Sequence, residues 1–277
     1  MKSLIRLLKK RRSGGFTLVE MVISVALIGI LLGGMMLFIS PVLQTYKNNQ
    51  NDITAENTTT CIQEYISRSL RNSYRIAIFA NTNYSSIKST AEYTDRIKAM
   101  NSYCNTTNGP SAVNKTVVLK CLSLRYDDAD NKYYLYNEKV DMTKDGALET
   151  QSDGITPKGD KVFADILYEG LYIDYMFSKP RNGDYVEGGT MSEFREDALQ
   201  MDLSTYRDTG YSSPIFRGTG ITEMRQIKGM LADGGSADDY NVSIEPAAPK
   251  AFADTTSGSR DIYIYYISRQ YAKPSTP

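Results

Sequence analysis

The sequence predicts an α+β protein: one long N-terminal helix, membrane-spanning in its first half and amphipathic in its second, packed on an antiparallel β-sheet. Three observations carry this expectation. Met21 to Ile39 is an unbroken run of apolar and small residues with Ser24 as its one polar side chain. Ile62, Tyr65, Ile66, Leu70 and Tyr74 then recur at spacings of three and four, which places them on one helix face. The remainder alternates β-branched and aromatic segments with turn-forming clusters.

The apolar run covers 19 positions, close to the roughly 20 a helix needs to cross a bilayer core. Lys2, Arg6, Lys9, Lys10, Arg11 and Arg12 precede it with no acidic residue among them. That asymmetry predicts a cytoplasmic N-terminus and an exported C-terminal bulk. A cleaved secretory signal would have a shorter apolar region and a small-residue exit, whereas this segment leaves through FISPVLQTYK. Pro41 predicts a kink, because proline removes a backbone donor and crowds the preceding turn. YKNNQND (46–52) is weak helix-forming sequence and predicts local fraying.

Past the helix, TVVLKCLSLRY (116–126) and KYYLYNEKV (132–140) read as strands, and DDADN between them as the turn of a hairpin. KVFADILYEGLYIDYMFSK (161–179) predicts two short strands broken at Glu169-Gly170, and DALQMDLSTYR (197–207) another. RDIYIYYISRQY (260–271) is apolar on both faces, with Ile262, Ile264 and Tyr266 opposite Tyr263, Tyr265 and Ile267, so it reads as an interior strand. The segments 178–193, 208–220 and 231–260 are rich in Gly, Pro, Ser and Asp and read as loops, with a short helix expected over 221–231.

The reactive inventory is small. The chain has no histidine and no tryptophan, which excludes Ser-His-Asp and Cys-His catalysis and imidazole metal sites. No catalytic residue, metal or cofactor is therefore expected. Asp127, Asp128 and Asp130 crowd one short loop in the manner of calcium ligands, but the hairpin turn accounts for them. Gly218-Thr219-Gly220 lacks the continuation of a phosphate loop and reads as a plain loop. Six of the 32 basic residues precede Phe16, so 26 remain against 32 acidic ones. An acidic bulk argues against a surface built for DNA.

A basic leader, then GGFTLVE, then an apolar helix resembles the processing site of type IV prepilins and the related pseudopilins. The resemblance covers roughly residues 1 to 40. It implies that a prepilin peptidase cuts after Gly15 and N-methylates the new terminus at Phe16. It also implies that the apolar helix serves as both lipid anchor and assembly element. The organisation expected is a leader at 1–15, a membrane and assembly helix at 16–42, an amphipathic continuation at 43–75 and an exported globular domain at 76–277. The mature chain of 262 residues, the full 277 less the 15 of the leader, is large for a major subunit. That size favours a larger minor pilin or a J-type pseudopilin. The expected partners are the peptidase, other pilin subunits, and an inner-membrane assembly platform with its ATPase. A competence-type DNA-uptake pilin and a membrane-anchored binding protein that never polymerises are the alternatives.

Glu20 is the residue an anchor alone does not explain. A charged carboxylate costs about 2.5–3.5 kcal/mol at the centre of a membrane helix, and less near its end. Cleavage would create an amine at Phe16, and a Glu20 carboxylate from the adjacent subunit would neutralise it. Among the three cysteines, Cys104 and Cys121 lie 17 positions apart and are the candidate disulfide, worth on the order of 3 kcal/mol. Cys61 falls on the helix.

Overall fold

The computed structural model describes residues 17–108, 117–183, 193–227, 242–245 and 260–269. Its first element, α1 (Leu18–Leu70), is a helix of 53 residues. Neither weak point in its sequence interrupts it. It is helical through Pro41 and through residues 46–52, and the Thr45 hydroxyl donates to the Pro41 carbonyl at 2.9 Å. The helix stops earlier than its periodicity predicts. The chain turns at residues 71 and 72, and Tyr74 belongs to the first strand instead. Arg71 N–H still donates to the Ser67 carbonyl at 2.9 Å, and the Arg71 carbonyl accepts from Arg225 N–H at 3.0 Å, so the end of the helix is satisfied.

Two compact units divide the chain, Met1–Asn51 and Asp52–Pro277. In the first, the large apolar side chains from Leu18 to Leu43 are 51–82 % exposed. Within the second unit the residues of α1 bury Ala55, Thr58, Thr59, Ile62, Ile66 and Leu70, a stripe at helical spacing that faces a sheet.

The strands follow as β1 (Ser73–Asn81), β2 (Val117–Asp127), β3 (Lys132–Glu138), β4 (Val140–Asp141), β5 (Ala147–Leu148), β6 (Gly159–Lys161), β7 (Tyr172–Ser178), β8 (Ala198–Tyr206), β9 (Pro214–Glu223), β10 (Val242–Glu245) and β11 (Asp261–Arg269). Six of them form one sheet in the order β10-β1-β11-β2-β3-β6, antiparallel except for the β1–β10 pair. β11 is interior as its composition predicts, flanked by β1 and β2. Its alternation divides the core. Ile262, Ile264 and Tyr266 join Ile62, Ile66 and Leu70 on one side of the sheet. Tyr263, Tyr265 and Ile267 join a second cluster on the other side.

That second side is covered by two helices not expected from the sequence, α2 (Tyr84–Lys88) and α3 (Ala91–Asn108). The Asn83 side chain caps α2 by accepting from Ser86 N–H at 2.9 Å. α3 places Tyr93, Ile97, Met100 and Cys104 against the sheet. Burying each such side chain contributes roughly 1.5–3 kcal/mol, enough to hold a helix whose outer residues are polar. Tyr84, Tyr93 and Tyr265 share a buried hydroxyl chain, with oxygens 3.1 and 2.8 Å apart.

Three further expectations change. The stretch 161–179 contains one strand, not two, after the end of β6: Asp165–Tyr168 is a 3-10 turn, and the chain reverses at Gly170 (φ 67°) before β7. Gly218-Thr219-Gly220 is not a loop but the middle of β9, which pairs with β8. β9 also occupies 221–223, so the described part of the helix expected over 221–231 is a single turn at 225–227. The glycines of β9 let α1 approach closely. A side chain at Gly218 would meet Thr59, and one at Gly220 would meet Gln63. The same contact is fastened by Thr59 and Thr205 hydroxyls 2.7 Å apart and by Thr222 donating to the Ser67 hydroxyl at 2.7 Å. Of the segment 231–260, residues 242–245 form β10 and Arg260 precedes β11; 231–241 and 246–259 lie outside the described residues.

Candidate functional site: the N-terminal motif

The start of α1 is built by Thr17 and Glu20. Thr17 precedes the helix, and its carbonyl accepts the first helical bond from Met21 N–H at 3.1 Å. Its hydroxyl accepts Glu20 N–H at 3.3 Å, satisfying one of the donors every helix start leaves open. Glu20 answers in the other direction. Its Oε2 accepts Thr17 N–H at 3.0 Å and the Thr17 hydroxyl at 3.1 Å. This reciprocal arrangement is a capping box, and its signature, Thr-x-x-Glu ahead of an apolar run, is legible in TLVE. The intermolecular role expected for Glu20 does not include this local one.

The two roles are compatible. The bonds to Thr17 all use Oε2, and among the described residues Oε1 makes none. A carboxylate has about four acceptor sites, so an amine can be received without opening the cap. The carboxylate also sits at the positive end of the helix dipole, which favours a negative charge there. Gly15 and Phe16 lie outside the described residues.

The cysteines depart from expectation. Cys104 on α3 and Cys121 on β2 lie in the same buried cluster, yet both are thiols and no bridge joins them. Burial pushes the Cys121 thiol up, with the nearby Glu138 carboxylate adding to the effect. Cys61 is an exposed thiol on α1.

The DDADN turn is held by its own hydrogen bonds. Asp127 accepts Ala129 N–H at 3.0 Å, Asp130 accepts the Tyr134 hydroxyl at 2.7 Å, and Asn131 takes a left-handed conformation (φ 53°). Among the described residues no three carboxylate or thiol side chains converge as a metal site.

α1 is long and apolar enough to cross a membrane, and its most apolar stretch is not buried in the fold. No curated protein and no solved structure shows a significant match to the chain. The N-terminal segment does match: residues 10–36, which include Gly15, Phe16, Thr17 and Glu20, fit the family model described as the prokaryotic N-terminal methylation motif.

Proposed function

We propose that the protein is a structural subunit of a type IV pilus-like filament, either a minor pilin or a pseudopilin. The observation that carries this reading is the position of the methylation motif. It sits at the start of one helix whose apolar surface is exposed over about seven turns, and whose later residues are part of a folded α+β unit. So large an exposed apolar surface requires lipid or protein to cover it. In this reading the basic leader stays in the cytoplasm, and prepilin peptidase cuts between Gly15 and Phe16 and methylates Phe16. The helix then anchors the exported domain until an assembly platform and its ATPase move the subunit into a filament. There the helices of neighbouring subunits replace lipid around α1. The protein acts as a building element and not as an enzyme, in keeping with its lack of histidine.

Mass spectrometry of the protein from cells with an active peptidase tests this. The expected product begins at N-methylated Phe16, and Gly15→Val should leave the precursor uncut. A mature protein that retains its leader would contradict the reading.

A further inference from the structure

Strand register sets three lysines side by side on the sheet face that carries Tyr266. Lys120 on β2 pairs with Tyr266 on β11. One step beyond the Cys121–Glu138 pair, the β2–β3 register brings Lys139 opposite Lys120. One step beyond the Glu138–Gly159 pair, the β3–β6 register brings Lys158 beside Lys139, and the Lys158 carbonyl accepts Lys139 N–H at 2.9 Å. Residues opposite each other across strands present their side chains on the same face. The three stems therefore form a row across two strand spacings, about 10 Å.

All three lysines are exposed, and among the described residues none of their amines makes an ion pair or a hydrogen bond. Glu149 and Asp160 stand on the flanking backbone, Glu149 donating its N–H to the Lys139 carbonyl at 2.8 Å, yet neither carboxylate is ion-paired with the row. Like charges set opposite each other destabilise a sheet. Lysines do guard exposed sheet edges, but β2 is interior, between β11 and β3, so edge protection does not account for Lys120. The other end of the same hairpin carries the reverse charge. Asp128 and Asp130 are exposed at its turn, and the Asp128 carboxylate makes no hydrogen bond or ion pair among the described residues. Asp127 is offset by Lys132 across the hairpin and by Lys161. A strand rises about 3.4 Å per residue, so Lys120 and Asp128 lie roughly 27 Å apart along the hairpin.

We propose that the lysine row of one copy receives the Asp128–Asp130 turn of a second copy, a head-to-tail contact between neighbouring subunits. The proposal rests on the filament reading and specifies one contact within it. The two ends are complementary in charge, and their separation forbids them from meeting within one chain. Because the two patches differ, the contact is heterologous, the type that builds an open helical filament when its rotation does not close a ring. A nucleic acid would meet the same amines, but the excess of acidic over basic residues past Phe16 repels a phosphate backbone. A second copy supplies its acidic groups in one small turn, on a scale that matches the row.

The test is zero-length carbodiimide cross-linking of the full chain in detergent micelles, half of it isotopically heavy so that links between chains are told from links within one. The reporter is the link between Lys158 and Asp130. We expect it between light and heavy chains, weakening as salt rises. Lys139→Glu and Asp128→Lys, both at exposed positions, leave the reporter groups intact and should each lower its yield about fivefold. Mixing the two variants should restore it, because each supplies the end that the other lacks. Absence of the inter-chain link in the wild-type chain, or a yield indifferent to both substitutions, overturns the proposal. So does salt-sensitive binding of a double-stranded oligonucleotide through the lysines without any such link. None of these results bears on cleavage at Gly15, so the filament reading stands or falls separately.

Discussion

Thr17 and Glu20 hold each other at the head of a 53-residue helix, the threonine hydroxyl lying 3.1 Å from the carboxylate and receiving the glutamate amide at 3.3 Å. The same carboxylate that the filament reading assigns to a neighbouring amine thus also starts its own helix. Replacing Thr17 by alanine should weaken the cap by about 1 kcal/mol. Hydrogen exchange at the Glu20 amide, measured in micelles, should accelerate about fivefold in Thr17→Ala and stay near wild type in Thr17→Ser. Equal exchange in all three would show that the box does not hold the first turn.

The Arg125–Glu138 pair sets a second expectation. Arg125→Met leaves a buried carboxylate without its cation, which destabilises a fold by roughly 3–5 kcal/mol. Arg125→Met combined with Glu138→Leu removes both charges and should recover most of that loss. Thermal or denaturant unfolding reads both variants; a single substitution as mild as the pair would mean the carboxylate is not dependent on Arg125.

Asp261 makes one contribution to the pH dependence of stability. Its folded pKa, about 6, lies above the ordinary carboxylate range because burial penalises the charge. A raised acid pKa means that the fold holds the proton more tightly than the unfolded chain does. This contribution is complete below about pH 4 and is lost as pH rises through about 6, on the order of 3 kcal/mol in all. Asp261→Asn should flatten the decline in melting temperature between those values. An unchanged slope would assign the decline to other groups.

Thiol accessibility distinguishes the cysteines. In the native protein maleimide should label Cys61 alone, with Cys104 and Cys121 reacting only after unfolding and without prior reduction. Three labels on the unfolded, unreduced chain is the expected count. One label would reveal a disulfide.

Legibility in the sequence followed the physical uniqueness of each signal. The apolar half of α1, the β2–β3 hairpin and the interior strand β11 are plain, because a long apolar run or a two-faced alternation is compatible with few structures. α3 is not, although Tyr93, Ile97, Met100 and Cys104 recur at helical spacing; its polar outer residues and the preceding Asn-Ser-Thr stretch look like loop. β9 is hidden because its glycines, needed for the approach of Thr59 and Gln63, look like turn residues when the packing is unknown. The helix stripe reads through to Tyr74 because tyrosine serves a helix face and a strand equally well, and sheet pairing decides between them. At the motif, Gly15, Phe16 and Glu20 stand out by position. The cap does not, although TLVE carries its pattern. The buried Arg125–Glu138 pair is beyond reach, because its members meet only through the register of β2 on β3.

The central claim is that Glu20 acts between subunits through its charge and not merely as a cap, and Glu20→Gln separates the two. Glutamine can replace glutamate in a capping box but cannot neutralise an amine. Immunoblotting of sheared filaments beside membrane fractions gives the readout. The account predicts that Glu20→Gln reaches the membrane normally and is as scarce in filaments as Glu20→Ala. Normal incorporation of Glu20→Gln together with loss of Glu20→Ala would show that the cap suffices, and would contradict the charge pairing at the centre of this account.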